Sequence, residues 1–329
     1  MKVYQVTGAS AIDVVNVDPE VNDKIKIKVT YLLPTLSDVN LFAGSVKKEY
    51  PCVPGSVAIG VISDDRAEYG LKRGTKVILN PYVTEPSDRL DLPATVKTRG
   101  INLEGFMKDF VYLDIDEFVP FPEDVEEEDA IFAERIAIAM SAINSFRVEK
   151  GDYIAIIGGG VVGNIIAQLA LYFQLIPIVI DNNEFRLAKA KQDGIYYTVN
   201  ATDEVPYERI FEITGGRMCE HTVIEDMASV TGAYLFKLAR NGGDCTIICE
   251  PYAVKSLDAD VSYISKKQLK VKGVSNGASE FNSAINIIAQ KILNLDGFIE
   301  KKVEAEEAEE FFKELTENPE HYFASIIEL

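Results

Sequence analysis

Apolar and polar positions alternate over short stretches of the first 120 residues, with turn residues between them. Lys24–Leu32 carries an apolar residue at every second position, which is typical of a strand with one solvated face. Ala58–Ile62, Lys76–Leu79 and Asp109–Leu113 are further apolar stretches that predict strands. This part of the chain is therefore predicted to form an antiparallel, barrel-like β region.

After Pro122 the pattern changes to strands that alternate with helices. The acidic stretch Glu126–Asp129 opens a predicted helix that runs to about Phe146, and acids in a first turn complement the helix dipole. The following elements are then predicted in order: strand Tyr153–Ile157, helix Val161–Phe173, strand Pro177–Ile180, helix Asn183–Gln192, and strands at Thr222–Ile224, Cys245–Cys249 and Leu269–Gly273. Such alternation predicts a parallel sheet with helices on both faces.

The last part of the chain returns to mixed character. Ala305–Leu315 predicts an amphipathic helix, and Ser325–Ile327 predicts a strand that rejoins the first domain. A length of 329 residues is too great for one ordinary core. We therefore predict two domains, the first from residues 1–122 and 279–329, the second from residues 123–278.

Charge and composition exclude several classes of function. The formal net charge is −19, and such a surface repels phosphate backbones and anionic lipid, which argues against nucleic-acid and membrane partners. There is no run of about twenty apolar residues to span a bilayer, and Met1–Tyr4 does not begin a signal peptide. We expect a cytoplasmic protein.

The cysteines and histidines offer little material for catalysis. The four cysteines lack the spacing of a disulfide framework, which indicates thiols in a reducing compartment. Cys245 and Cys249 share one face of a predicted strand, as either a metal pair or, in the interpretation we favour, two small core residues. His221 and His321 are the two histidines of the chain.

A glycine-rich motif follows the strand Tyr153–Ile157 directly. Gly158 allows a tight turn, Gly160 lets the backbone approach a pyrophosphate, and Gly163 lets helix and strand pack closely. Val161 and Val162 begin the helix, whose N-terminal N–H groups and partial positive charge would face the phosphates. The motif predicts a dinucleotide-binding turn, the alternative being a purely structural glycine turn.

Asp181 ends the next predicted strand, roughly twenty residues further along the chain, where a carboxylate accepts hydrogen bonds from the adenosine ribose. Because an aspartate there repels a 2′-phosphate, NAD is favoured over NADP as the cofactor. The alternative is an aspartate that caps a helix. Arg186 either stacks near the adenine or lies on the helix surface.

With these motifs, the chain resembles the medium-chain alcohol/polyol dehydrogenase family. The resemblance lies in Asp38–Gly44, Val53–Gly55 with Gly60, Gly74–Val77, Asn80–Tyr82, Gly105–Phe110 and Glu134. It implies an α/β protein with a GroES-like, β-barrel-type catalytic domain, a Rossmann domain with a doubly wound parallel sheet, and a C-terminal return to the first domain. It also implies hydride transfer between a nicotinamide and an alcohol or ketone.

The chain departs from this family at its metal ligands. Pro34–Asp38 stands where the family has Cys-x-Ser/Thr-Asp, and Gly55–Val57 stands where it has Gly-His-Glu. Of the catalytic metal set only Glu134 remains, and one carboxylate does not hold Zn²⁺ against water. Val83–Gly100, where the family carries a structural zinc lobe, contains no cysteine. We expect no zinc at either place.

Without a metal, hydrogen-bond donors must stabilise the charge that develops on the substrate oxygen. The candidates are the hydroxyls of Thr35, Ser37, Ser56 and Tyr82, with Glu134 as a base or proton relay. The resemblance makes Ser37 the hydroxyl that relays the substrate proton, the alternative being a turn serine.

Four further side chains have open roles. In the family the aspartate at position 38 orients the metal histidine; here Asp38 either bonds Ser56 or caps a turn. Lys97, Arg99 and Arg135 either hold an anionic substrate or are surface charges.

Three functions remain open at this point. The first, which we favour because Ser37, Asp38 and Glu134 occur together, is a zinc-independent, NAD-dependent oxidoreductase acting on a small polyol, sugar or ketone. The second is a quinone or enone reductase, and the third is a non-catalytic NAD-binding sensor or partner protein. Lys270–Val274 resembles the edge strand through which the family pairs its subunits, so we expect a homodimer or homotetramer, although edge lysines also guard against pairing.

Overall fold

The structure is a computed structural model. It describes residues 1–19, 23–66, 69–85, 95–226, 232–249, 259–318 and 321–329. Two compact units are present, one containing Met1–Glu134 and Leu295–Leu329 and the other Arg135–Glu250 and Val254–Asn294. A unit defined by contacts need not coincide with a domain, so the domain bounds given above stay a prediction.

Short strands dominate residues 1–134, as the alternating pattern predicts. They are β1 (Lys2–Gly8), β2 (Ala11–Asn16), β3 (Ile25–Leu33), β4 (Val57–Ile62), β5 (Lys76–Leu79), β6 (Tyr82–Glu85), β7 (Thr95–Thr98), β8 (Phe110–Leu113) and β9 (Phe118–Pro120). β3, β4, β5 and β9 pair in that order, with β8 also on β3, and every one of these pairings is antiparallel. β1 pairs with β2, and β6 pairs with β7.

A short helix, α1 (Leu36–Phe42), connects β3 to β4. The predicted continuous helix over Glu126–Phe146 is wrong, because two helices, α2 (Glu127–Ala130) and α3 (Ala133–Ile143), replace it. Ile131 and Phe132 lie between them, and both are buried. The hydrogen bonding changes at the break, because the N–H of Phe132 donates to the carbonyl of Asp129, three residues earlier, instead of continuing the four-residue pattern of an α-helix.

The second unit is a doubly wound parallel sheet, as predicted. Its elements are β10 (Tyr153–Ile157), α4 (Val161–Tyr172), β11 (Ile176–Asp181), α5 (Glu184–Gln192), β12 (Tyr197–Asn200), α6 (Pro206–Ile213), β13 (Cys219–Ile224), a 3₁₀ helix (Gly232–Lys237), β14 (Ala239–Ile248), α7 (Ser262–Lys267), β15 (Lys270–Val274) and α8 (Phe281–Ala289). The strand order is β12-β11-β10-β13-β14-β15. The order reverses between β10 and β13, which makes the carboxyl ends of these two strands the expected place for a ligand.

The end of the chain returns to the first unit, as predicted. After β16 (Ile299–Glu304) and a 3₁₀ turn (Ala305–Glu307), α9 (Ala308–Glu317) leads into β17 (Ala324–Glu328). β17 pairs antiparallel with β3, and Phe312 of α9 stacks on Phe42 of α1 with ring centroids 5.4 Å apart. The tail therefore supplies both a strand and core side chains to the first unit.

Cys245 and Cys249 do not share an environment. Cys245 lies in β14 and is buried in the core of the sheet, whereas Cys249 follows the end of that strand and is exposed. The prediction that both are core residues on one strand face is therefore wrong for Cys249, because the strand ends at Ile248. Within the ranges that the structure describes, no helix has the length and apolar composition needed to cross a bilayer.

Candidate functional site

The glycine motif forms the turn between β10 and α4. Gly158 has φ +103°, a conformation that favours glycine. A Cβ on Gly163 would lie 1.9 Å from the carbonyl oxygen of Gly158, so only glycine lets α4 begin so close to the turn. These two glycines therefore serve the packing of strand, turn and helix, as the motif predicts.

Gly160 differs from these two glycines because a Cβ there would clash with nothing and would make only ordinary van der Waals contact. The nearest atom to a Cβ on Gly160 would be Cζ of Arg186, at 3.9 Å. Gly160 is the N-cap of α4, whose first turn starts with Val161 and Val162 and contains no acidic residue. The free N–H groups and positive end of the helix thus adjoin a recess beside Gly160, bordered by Arg186, which a side chain at position 160 would fill. We call this recess the cradle, and it fits the phosphates of a dinucleotide.

Asp181, at the carboxyl end of β11, is hydrogen-bonded to this turn. Its Oδ2 accepts a hydrogen bond from the backbone N–H of Gly159 at 2.6 Å, and its Oδ1 accepts one from the N–H of Asn183 at 2.8 Å. The side chain is 0% exposed, so a ribose could reach it only after neighbouring groups shift. The contact of Asp181 with an adenosine ribose stays a prediction.

Arg186 is the neighbour that lies over Asp181. Its Nη1 is 3.6 Å from Oδ2 of Asp181 and 3.3 Å from Oδ2 of Asp226, and its side chain is 18% exposed. Asn183 fixes the start of the helix that carries it, because the Asn183 side chain accepts a hydrogen bond from the N–H of Phe185. Arg186 thus places its positive charge between two carboxylates at the edge of the cradle.

Sequence reasoning missed Glu225 and Asp226, which follow β13 directly. A Cβ on Gly158 would lie 2.5 Å from Oε2 of Glu225 and 2.9 Å from the backbone nitrogen of Asp226. Burial raises the pKa of Glu225 to about 7, with the charge of Asp226 as the second cause. The signal was available, because in a doubly wound sheet the strand that follows the order reversal must end beside the glycine turn.

In the first unit, Asp38 connects α1 to the segment that precedes β4. Its Oδ2 accepts hydrogen bonds from the backbone N–H of Thr35 at 2.9 Å and from the Thr35 hydroxyl at 2.8 Å. Its Oδ1 accepts one from the N–H of Gly55 at 2.7 Å. Of the two roles predicted for Asp38, the structure shows the cap: Thr35 and Asp38 form a capping box on α1.

The remaining hydroxyls lie close by in the chain and are buried. Ser37 is in the first turn of α1, and Ser56 directly precedes β4, with exposures of 3% and 5%. Gly55 packs closely on a second loop, because a Cβ on Gly100 would lie 2.9 Å from the Gly55 carbonyl carbon.

Tyr82 and Glu134 form a buried pair in the same unit. The Tyr82 hydroxyl donates to Oε1 of Glu134, and both residues are less than 10% exposed. The N–H of Arg99 donates to the carbonyl of Pro81 at 2.8 Å, and Arg99 precedes Gly100, which packs on Gly55. Backbone contacts therefore connect the Tyr82 strand to the loop that carries Ser56.

These residues do not fit a catalytic zinc. Thr35 directs its hydroxyl hydrogen to Asp38, and Val57 is a buried apolar residue of β4. The remaining donors at the family's ligand positions are the Ser56 hydroxyl and the Glu134 carboxylate, and neutral hydroxyls are not among the ligands that Zn²⁺ takes in proteins. Among the described residues, no group of three or more His, Cys, Asp or Glu is placed to hold a metal. The prediction of no structural zinc concerns Val83–Gly100, and residues 86–94 of this segment lie outside the described ranges.

The three basic candidates for an anionic substrate are in different surroundings. Arg99 pairs through Nη2 with Glu117, and its side chain is 20% exposed. Arg135 is buried in α3, and Lys97 is half-buried in β7. The alternative of an exposed surface charge is therefore wrong for Arg135.

Comparison with known proteins agrees with this architecture. Family profiles match as an alcohol dehydrogenase GroES-like domain over residues 21–123 and as a zinc-binding dehydrogenase over residues 161–290. A crystal structure of an Escherichia coli oxidoreductase/dehydrogenase of unknown specificity, described as involved in membrane biogenesis, superimposes with a TM-score of 0.87. It has 18% sequence identity and the match covers 99% of this chain and 98% of that one, so it shows the fold alone.

Two relatives in sequence match over almost the whole chain. An uncharacterised zinc-type alcohol dehydrogenase-like protein of Haemophilus influenzae is 27% identical, over 92% of this chain and 91% of its own length. D-arabitol-phosphate dehydrogenase of Enterococcus avium is 26% identical, over 91% and 88%. Both predicted domain types, GroES-like and Rossmann, are thereby confirmed, and the chain belongs to the medium-chain alcohol/polyol dehydrogenase family.

Proposed function

We propose that this protein is a zinc-independent, NAD-dependent oxidoreductase that transfers hydride between a nicotinamide and a small alcohol, polyol or ketone. The observation that carries the proposal is the open cradle at Gly160, against the free N-terminus of α4. A related dehydrogenase acts on a polyol phosphate by name, which supports a hydroxylated small molecule as substrate.

The charges around the cradle favour NAD over NADP. The carboxylates of Asp181 and Asp226 flank Arg186, whose guanidinium already faces both of them. A 2′-phosphate would add further negative charge beside these two carboxylates, and a ribose diol would not. We therefore expect NADH to bind more tightly than NADPH.

The first unit supplies the groups that handle the proton. When a nicotinamide dinucleotide is bound, it supplies or accepts the hydride. Ser37 and Ser56 donate hydrogen bonds to the substrate oxygen on which negative charge develops. Tyr82 holds its proton toward Oε1 of Glu134, and this carboxylate accepts the proton that an alcohol loses. Thr35 serves as a positioning residue, because its hydrogen bond to Asp38 holds the start of α1.

The residues at the family's metal-ligand positions, Thr35, Ser56 and Val57, support catalysis without zinc. Purified protein should contain much less than one zinc per chain by elemental analysis, and dialysis against a chelator should leave activity and melting temperature unchanged. One tightly held zinc per chain, with loss of activity on its removal, would contradict this part of the proposal.

The function is tested with NADH and NADPH against a panel of small ketones, ketose phosphates and quinones, followed at the nicotinamide absorbance. Oxidation of NADH by a ketone or ketose, faster than oxidation of NADPH, is the expected result. Ser37→Ala should lower kcat by about 10²-fold without changing NADH binding, whereas Ser265→Ala, exposed on α7, should have no effect.

A second function remains a candidate because of the capping box. Thr35 and Asp38 are hydrogen-bonded to each other at the start of α1. The segment at the position of the family's first metal ligand therefore has a structural role as a helix cap. This arrangement suits a non-catalytic NAD-binding protein as well. NADH binding without consumption on any substrate would favour that function, and consumption with quinones alone would favour a quinone reductase.

A further inference from the structure

Two acidic residues, Glu225 and Asp226, lie against Gly158 of the glycine turn. The backbone N–H groups of Glu225 and Asp226 both donate to the carbonyl of Ile157, at 2.9 and 3.0 Å, which fixes this segment to the end of β10. Oε2 of Glu225 lies 2.5 Å from where a Cβ on Gly158 would stand. Because Gly158 has no side chain, the carboxyl group of Glu225 can lie directly against the turn.

The charged groups around Glu225 come from four elements. Asp226 is its neighbour in the chain, Asp181 ends β11, Arg186 belongs to α5 and Arg135 belongs to α3. Burial raises the pKa of Glu225 to about 7, and the negative charges of Asp226 and Asp181 act in the same direction, while the two guanidinium groups oppose them. The carboxyl therefore changes its charge near neutral pH, beside Gly158 of the turn.

We propose that Glu225 makes dinucleotide binding at the glycine turn dependent on pH: the protonated carboxyl permits tight binding, and the ionised carboxylate weakens it by repelling the diphosphate. The inference rests on the proposed function, because it requires the phosphates of the cofactor to lie at Gly158–Gly163. Repulsion between like charges is strong here because Glu225 is half-buried, in surroundings less polarisable than water. By reciprocity, cofactor binding must draw a proton onto the carboxyl.

The test measures the dissociation constant of NADH by its fluorescence between pH 6 and pH 8.5 at constant ionic strength. The diphosphate of NADH does not titrate in this range, so a change in affinity reports on the protein. For the unmodified protein the dissociation constant should rise by about tenfold across the range. At every pH, Glu225→Gln should bind NADH with the dissociation constant that the unmodified protein has at pH 6. Glu208→Gln, at an exposed position on α6, should show the same pH dependence as the unmodified protein.

A second measurement uses the unmodified protein and does not depend on the folding of a variant. Calorimetric titration with NADH at pH 7, in two buffers of different ionisation enthalpy, should show net proton uptake on binding. Proton uptake of zero, or a Glu225→Gln variant with the same pH dependence as the unmodified protein, would overturn the role of Glu225 and leave NADH binding established. Failure of NADH to bind at any pH would overturn the proposed function itself.

Discussion

The carbonyl oxygen of Gly158 occupies the space beside Gly163, 1.9 Å from where a Cβ on Gly163 would stand, whereas a Cβ on Gly160 meets its first atom at 3.9 Å. Gly163→Ala should therefore force α4 away from β10 and lower the free energy of unfolding by about 1–3 kcal/mol. Gly160→Ala should leave stability unchanged and weaken NADH binding on the order of tenfold, because the backbone can no longer approach the phosphates.

Urea unfolding and NADH titration on both variants check this separation. Equal stability of the two variants would contradict the packing role of Gly163, and tight NADH binding by Gly160→Ala would contradict the cradle.

Asp38 connects two segments of the first unit through hydrogen bonds, so replacing it should lower the free energy of unfolding. Asp38→Ala leaves the N–H groups of Thr35 and Gly55 without this acceptor, and we expect a loss of roughly 2–3 kcal/mol in the free energy of unfolding. Asp38→Asn keeps one acceptor oxygen and should lose less. Asp13→Ala, exposed on β2, is the control in urea unfolding; an Asp38→Ala protein as stable as this control would show that the cap is unimportant.

His221 should make the protein less stable in acid. It is buried in β13, with Nε2 at 3.1 Å from Oδ2 of Asp152, and burial lowers the pKa of its imidazole below the usual 6.5, more than Asp152 raises it. Because the unfolded chain then binds the proton more readily, the stability that the neutral imidazole contributes is complete above about pH 6.5 and is lost as the pH falls through the lower folded-state pKa.

The comparison is between urea unfolding at pH 7.5 and at pH 5.5. His221→Gln should lose less stability between these values than the unmodified protein, and His321→Gln, at an exposed position, should lose the same amount as the unmodified protein. Identical acid losses in all three proteins would show that His221 does not contribute.

The edge strand β15 should pair with a second copy of the chain. Lys270, Val271, Lys272 and Gly273 are all exposed, and in the described part of the sheet β15 pairs with β14 alone. We expect a dimer or tetramer by light scattering, and Val271→Asp should shift it toward monomer because two carboxylates would meet across the pair. Val261→Asp, at another exposed valine, is the control; a monomeric unmodified protein at micromolar concentration would contradict the expectation.

Local chemistry made the glycine turn predictable from the sequence. Gly158 and Gly163 each have a steric requirement that their spacing expresses, and the strand before the turn and the helix after it begin and end within one residue of the predicted bounds. The same holds for Lys76–Leu79, where a short apolar stretch after the turn residues Gly70 and Gly74 identifies the strand.

Contacts between distant segments were not predictable in this way. The hydrogen bond from Gly159 to Asp181 depends on side-chain positions across the sheet. The contact of Glu225 with Gly158 could be expected only from the strand order of a doubly wound sheet and not from any local pattern. The break after Ile131 depends on a change in backbone hydrogen bonding at Phe132, which the helix-favouring residues around it do not indicate. Thr35 and Asp38 have the spacing of a capping box, so the cap was one of the two roles predicted for Asp38, whereas its hydrogen bond from Gly55 joins segments that no local pattern relates.

The pairing of β17 with Tyr31 and Leu32 of β3 has a consequence for biosynthesis. Nearly 300 residues separate the two strands in the chain, and a ribosome that adds about 5–20 residues per second needs roughly 15–60 s to make them. During that interval the whole parallel sheet of the second unit emerges, while this edge of β3 still lacks its neighbour. The nascent chain therefore carries an exposed strand edge that chaperones can shield, and a chain truncated before Ala324 lacks the strand that pairs with this edge.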